Sequence, residues 1–275
     1  MNPKLKLLLK KTGYFIGKIL GVSGKRFVSD RLKELAWITR TISRYMHTLQ
    51  WGFDWLVPPQ PEWGDHFGDQ FWLMRSSQNP LWLERGIFNL LCIKQGATLL
   101  EICCGDGFNA YHFYSIRCKN IISIDFDVDA IRHAKKFNQA SNVEFRLQDI
   151  RNGLPEGSYD NIIWDAAIEH FTEKEIEFIM VNIKQRLKKG GTVSGYTIKE
   201  LEGGKQLSHH EYEFKSKEDL RRFFEPHFSN VMVFETIYPN RHNFYFYASD
   251  EILPFQKSWE FITYFHSGSG DIVQN

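Results

Sequence analysis

Four acidic residues stand at or near the ends of short apolar runs. Glu101 lies in Leu99–Ala110 (LLEICCGDGFNA), Asp125 closes Ile121–Asp125, Asp149 follows Val143–Leu147, and Asp165 closes Asn161–Trp164. Carboxylates at the carboxyl ends of strands can accept hydrogen bonds from ligand hydroxyls and sit beside cationic groups. Gly105 and Gly107 let the backbone turn sharply and approach a ligand closely. Asp125, eighteen residues beyond Gly107, is placed to accept from ribose hydroxyls, with Phe126 beside it. Asp149 can meet an adenine amino group, and Ile150 can pack on the ring.

Two cofactor chemistries fit these glycines. Gly105-Asp106-Gly107-Phe108-Asn109-Ala110 also reads as G-x-G-x-x-A, the dinucleotide pattern, so an NAD(P)-binding oxidoreductase is the competing reading. A dinucleotide loop offers backbone N–H groups to a pyrophosphate, and Glu101 and Asp106 would set negative charge against negative charge. S-adenosylmethionine (SAM) carries an ammonium and a sulfonium and no phosphate, which suits acidic surroundings.

Residues of about 97–249 resemble the class I, Rossmann-like SAM-dependent methyltransferases. Glu101-x-Cys103-x-Gly105-x-Gly107 is similar to the family's E/D-x-G-x-G-x-G first motif, with Cys103 where glycine is usual. Asp125 matches the ribose-binding acid, Asp149 the adenine-contacting acid, and Asp160-Asn161-Ile162-Ile163-Trp164-Asp165 the fourth-strand motif. The resemblance implies SAM as cofactor, held by Glu101, Cys103, Gly105, Gly107, Asp125, Phe126, Asp149, Ile150 and Asp165. It implies an α/β fold with a seven-stranded sheet of order 3-2-1-4-5-7-6, the last strand antiparallel.

The methyl acceptor is expected near the ends of strands four and five. Asp165-Ala166-Ala167-Ile168 lacks the D/N-P-P-Y/F pattern typical of enzymes acting on exocyclic base nitrogens or glutamine amides. A small-molecule, sugar or lipid-linked acceptor remains, with oxygen as the expected atom. His170 is a candidate general base, because imidazole titrates near neutrality; Asp165 and His210 complete the catalytic candidates. His209, His210 and Glu211 could join Asp165 around a metal, but adjacent residues rarely ligate one ion, so no metal is assigned. A SAM-binding protein without catalysis is the alternative from another class.

These residues need a scaffold. Alternating apolar runs and helical patterns between about 97 and 249 predict parallel strands at Thr98–Cys103, Ile121–Asp125, Val143–Leu147, Asn161–Trp164 and Thr192–Tyr196. A helix is predicted to begin near Phe108. Thr172 and Glu175 form a capping box for another, with Ile176, Ile179, Met180, Ile183 and Leu187 on one face and Lys188, Lys189 and Gly190 closing it. Ser216 and Asp219 open a helix ending at Pro226. Asn230–Tyr238 and Asn243–Ala248 are joined too closely for a crossover helix and should pair antiparallel.

The 275 residues divide into a basic helical arm (1–50), an aromatic cap segment (51–95), the SAM-binding domain (96–250) and a C-terminal tail (251–275). Five of the eight tryptophans fall within the cap, where they can stack on an acceptor or close a small core. The formal net charge of +1 hides an asymmetry: residues 1–50 carry eleven Lys/Arg against Asp30 and Glu34, and the remainder is acidic. An acidic body argues against nucleic acid as a partner. Four cysteines without a CxxC pair point to neither zinc nor a redox motif, and suit a reducing cytoplasm. Lysines interrupt the apolar stretches near the N-terminus, which argues against a signal peptide. Residues 1–29 hold seven Lys/Arg, no acid, and apolar residues at helical spacing, a pattern open to peripheral membrane contact.

Overall fold

A computed structural model describes residues 3–54, 86, 88–200, 210–238 and 241–251. Seven strands form one sheet: β1 Thr98–Ile102, β2 Asn120–Asp125, β3 Val143–Leu147, β4 Tyr159–Trp164, β5 Leu187–Ile198, β6 Asn230–Tyr238 and β7 Arg241–Ser249. Their order is β3-β2-β1-β4-β5-β7-β6. The first five pair in parallel, and β7 runs antiparallel to both β5 and β6. This is the topology expected from the motif resemblance.

Helix α1 covers Pro3–Asp54, broken at Gly21, where φ is 64° and ψ −174°. Within the sheet domain, α2 is Val128–Phe137, α3 Glu173–Arg186 and α4 Lys217–Arg221. Asp127 caps α2 by accepting from the amides of Asp129 and Ala130, satisfying donors that the first turn leaves without intrahelical partners. The capping box of α3 forms: the Glu175 amide donates to Thr172 Oγ1 at 3.4 Å, and the Thr172 amide donates to Glu175 Oε2 at 2.9 Å.

The sheet is buried on both faces, so β4 ends in three consecutive buried apolar residues, Ile162, Ile163 and Trp164. On one face Ile162, Trp164, Ile176, Ile179, Met180 and Ile183 share a core with Phe224 and Phe246. On the other, Leu99, Ile121, Phe145 and Ile131 pack with Tyr114. Gly195 of β5 lies hard against β4: a Cβ there would lie 1.8 Å from the Trp164 carbonyl oxygen.

The helix expected near Phe108 begins there and passes into a π-helical turn, Ala110–Tyr114, with the Ser115 amide donating to the Ala110 carbonyl. Two local expectations are corrected. Helix α3 stops at Arg186; Leu187 is already extended and opens β5 by pairing with Tyr159. Gly190, at φ +70°, therefore serves an irregular stretch of strand instead of a helix cap. Helix α4 ends at Arg221 and continues to Pro226 only as turns. At the end of α3, pairing of Leu187 with β4 overrides the local helical pattern.

Candidate functional site

The carboxyl ends of β1 to β4 converge on a cavity of about 380 Å³, a size usual for small-ligand sites. Cys103 follows β1; Asp125 ends β2, with Phe126 and Asp127 after it; and the turn after β3 supplies Gln148, Asp149, Ile150 and Arg151. Facing them is the stretch after β4, with Ala166, Ala167, His170 and Phe171, joined by Glu211.

The glycine loop is tied across the end of β2. The Cys104 amide donates to the Ile124 carbonyl at 2.9 Å, and the Gly105 amide donates to Asp125 Oδ2 at 2.8 Å. Asp125 Oδ1 accepts from the Asp127 amide at 2.9 Å. Burial pushes the Asp125 carboxyl up to about 6, against the pull of these amides. Gly107 sits at φ +75°, and a Cβ there would come within 2.4 Å of the Phe145 ring. That position admits only glycine on two counts, backbone conformation and space.

Cys103 has φ +57°, a left-handed conformation that suits the glycine usual at this place in the motif. Asp149 lies at the cavity wall but is engaged by its own turn: Oδ1 accepts from the Arg151 amide at 2.9 Å, and the carboxylate pairs with the Arg151 guanidinium at 2.8 Å. Hydrogen bonding to Arg151 holds this carboxyl below the usual range.

Glu101 and Asp165 do not line the cavity. Glu101 is buried against Ser123, whose hydroxyl donates to it at 2.7 Å. Burial pushes its carboxyl up to about 8, with the Asp165, Asp106 and Asp125 carboxylates nearby adding to the rise. Burial thus favours its protonated form. Asp165 is buried behind the loop, where its Oδ2 accepts from Asn109 Nδ2 at 3.1 Å, linking the end of β4 to the glycine turn.

At the far end, the rings of His170 and His210 lie 4.9 Å apart, inclined at 73°. His210 is fully buried, and its Nδ1 hydrogen-bonds a Glu213 carboxylate oxygen. Glu169 is also buried; its Oε2 accepts from Thr197 Oγ1 at 2.9 Å. The Glu169 carbonyl accepts from the amides of Glu211 and Tyr212 at 2.8 and 3.0 Å, fastening the segment around His210 to the end of β4.

Glu169, Glu213, Arg151 and Ala166 were not among the residues picked out from the sequence. The first two carried a signal, since Glu169 directly precedes His170 and Glu213 follows His210 by three. The positive φ of Ala166, 52°, has none. His209 and Trp55, Trp63, Trp72 and Trp82 lie outside the described residues.

Residues 99–191 match the family described as "Methyltransferase domain". No curated protein matches the sequence significantly. Among solved structures, the DhpI–SAH complex is similar at TM-score 0.52 and 18% identity, covering 77% of this chain and 98% of its own. N-methyltransferase NodS from Bradyrhizobium japonicum WM9 gives 0.52 and 16%, covering 62% and 96%. TehB from Haemophilus influenzae gives 0.51 and 16%, covering 66% and 67%. At these identities the structural likeness is one of fold. The domain match, the strand order and the glycine loop at the end of β1 agree: this chain carries a methyltransferase domain of class I, Rossmann-like fold, and is an enzyme with S-adenosylmethionine as its cofactor.

Proposed function

We propose that the enzyme methylates an oxygen of a small-molecule, sugar or lipid-linked acceptor, bound at the His170 end of the cavity. The observation that carries this reading is the sharing of one cavity by the motif residues and an imidazole. Cys103, Asp125, Phe126 and Ile150 stand on one side, and His170 and Glu211 on the other. When bound, SAM supplies a methyl group activated by its sulfonium.

The chain's own residues fit such a cofactor. The Asp125 carboxylate, fixed by two backbone amides, is the acceptor for ribose hydroxyls. Phe126 and Ile150 offer apolar surface to a purine, and Asp149 is the nearby acid. Gly105 and Gly107 shape the loop; Glu101 and Asp165 support it from behind as partners of Ser123 and Asn109. Acceptor alignment falls to the wall after β4, and the acceptor's proton is given up at the Glu169–His170–His210 cluster, of which His170 reaches the cavity. Holding acceptor and donor in register contributes more to rate than any single contact.

Calorimetry with SAM, followed by radiolabelled transfer to a panel of hydroxyl- and amine-bearing acceptors, tests this. Labelling of hydroxyl compounds supports it. Labelling confined to amines overturns the oxygen assignment, and SAM binding with no labelled product favours a non-catalytic SAM-binding protein.

We further propose that residues 1–29 touch anionic membrane surfaces. Leu7, Leu8, Phe15 and Ile19 are exposed on α1, interspersed with exposed Lys4, Lys11 and Lys18. Among the described residues no helix is long and apolar enough to cross a membrane, so contact would be peripheral, at a cytoplasmic face.

A further inference from the structure

We infer that Glu169, His170 and His210 form a binding site for one divalent transition-metal ion at the acceptor end of the cavity. One carboxylate oxygen and one nitrogen from each imidazole lie within 4.8 Å of one another. Ligand atoms around an ion with bonds of about 2.0–2.2 Å stand roughly 3–4 Å apart. A small rotation of the half-buried His170 ring closes that difference, because this ring borders open space while the other two side chains are packed.

Three features make the cluster resemble a built site. It joins distant parts of the chain, and the joint is held by the Glu211 and Tyr212 amides donating to the Glu169 carbonyl. Both buried ligands have a second partner that orients them. Thr197 donates to one carboxylate oxygen of Glu169, and Glu213 takes the Nδ1 side of His210. With the Nδ1 proton shared with Glu213, the imidazole lone pair is on Nε2. A carboxylate behind a metal-binding histidine is the common means of setting its tautomer and raising its basicity. Finally, His170 and Glu211 border the cavity, so an ion would have an entry path and open positions for water or an acceptor oxygen.

Two imidazoles and one carboxylate select zinc, iron, cobalt, nickel or manganese over magnesium and calcium, which prefer all-oxygen shells. Three protein ligands are the number typical of catalytic ions, which keep coordination positions open. An ion here would lower the pKa of a coordinated hydroxyl toward neutrality. His170 would then act as a ligand, and the acceptor proton would leave because the metal acidifies it. This role rests on the oxygen-acceptor reading, but binding of the ion does not.

Cobalt(II) serves as the probe, titrated into chelator-treated full-length protein and followed by its visible ligand-field bands and by calorimetry. One equivalent is expected to bind, with bands indicating nitrogen and oxygen ligation. His170→Ala, at the cavity wall, and Glu169→Gln, close in shape, should each abolish stoichiometric binding. Glu213→Gln should weaken it by about 10- to 100-fold. SAM affinity, measured on every variant, reports that the domain is folded. Wild type that binds SAM but takes up no cobalt or zinc overturns the inference, as do variants that bind cobalt like wild type. Stoichiometric cobalt without methylation of any hydroxyl acceptor would leave the metal site standing and remove the oxygen-acceptor reading.

Discussion

Cys103 and Ala166, which follow the neighbouring strands β1 and β4, both adopt a left-handed backbone, at φ 57° and 52°, and both line the same cavity. Among the described residues they are the two non-glycine positions with positive φ. For residues carrying a Cβ this conformation costs about 1–2 kcal/mol, and such positions cluster where a ligand or a reaction needs a particular backbone path. Here they flank the space assigned to the cofactor and its acceptor.

Cys103→Gly should therefore relieve strain. The gain is reduced by about 0.5–1 kcal/mol of extra backbone entropy lost on folding, so a net stabilisation of up to about 1 kcal/mol is expected in thermal or urea unfolding. SAM affinity by calorimetry should be unchanged or tighter. Loss of binding would show that the Cys103 side chain is itself a ligand contact, and that the loop is in another register.

The Asp125 carboxyl, raised by burial to about 6, should give SAM binding a pH dependence. In the ribose-binding role proposed for it, the ionised form is the better acceptor for two hydroxyls, so affinity should rise as pH climbs through about 6 and level off above it. Asp125→Asn should flatten the profile and weaken binding by roughly 10- to 100-fold, the range for a hydrogen bond to a charged group. A variant that keeps the wild-type pH profile would assign the dependence to another group.

Glu101 makes an opposite contribution to stability at alkaline pH. Its folded-state pKa of about 8 lies above the ordinary 4.5, so the folded protein holds a proton that the unfolded chain releases. Stability from this group is full below pH 4.5 and falls as pH rises to about 8. The total is on the order of a few kcal/mol for so buried a carboxyl. Glu101→Gln stays neutral at every pH, and should be increasingly more stable than wild type as pH is raised from 6 to 9 in thermal denaturation. Parallel stability curves would mean that Glu101 is ionised in the folded enzyme.

The surface of α1 bears on location. Liposomes containing anionic lipid should sediment the full chain and leave behind a form lacking residues 1–29, with each cation near the surface contributing about 1 kcal/mol. The difference should shrink at high salt. Equal partitioning of the two forms would remove the membrane reading.

What the sequence determined by itself follows from short-range chemistry. Strand runs, the capping box at Thr172 and Glu175, the antiparallel final pair and the order of the motif acids were all readable, because apolar periodicity and cap spacing act within a few residues. The charges proved less legible. Glu101 read as an acid suited to a cation and Asp165 as a cofactor or catalytic contact, whereas folding buries them behind the loop, on Ser123 and Asn109. The sequence placed the end of α3 and the irregular Lys188–Gly190 stretch incorrectly because both are set by the pairing of Leu187 with Tyr159 on a distant strand. The grouping of Glu169 and His170 with His210 depends on hydrogen bonds between two loops forty residues apart. A contact of that kind has no periodic or local trace, and only the tertiary fold brings it about.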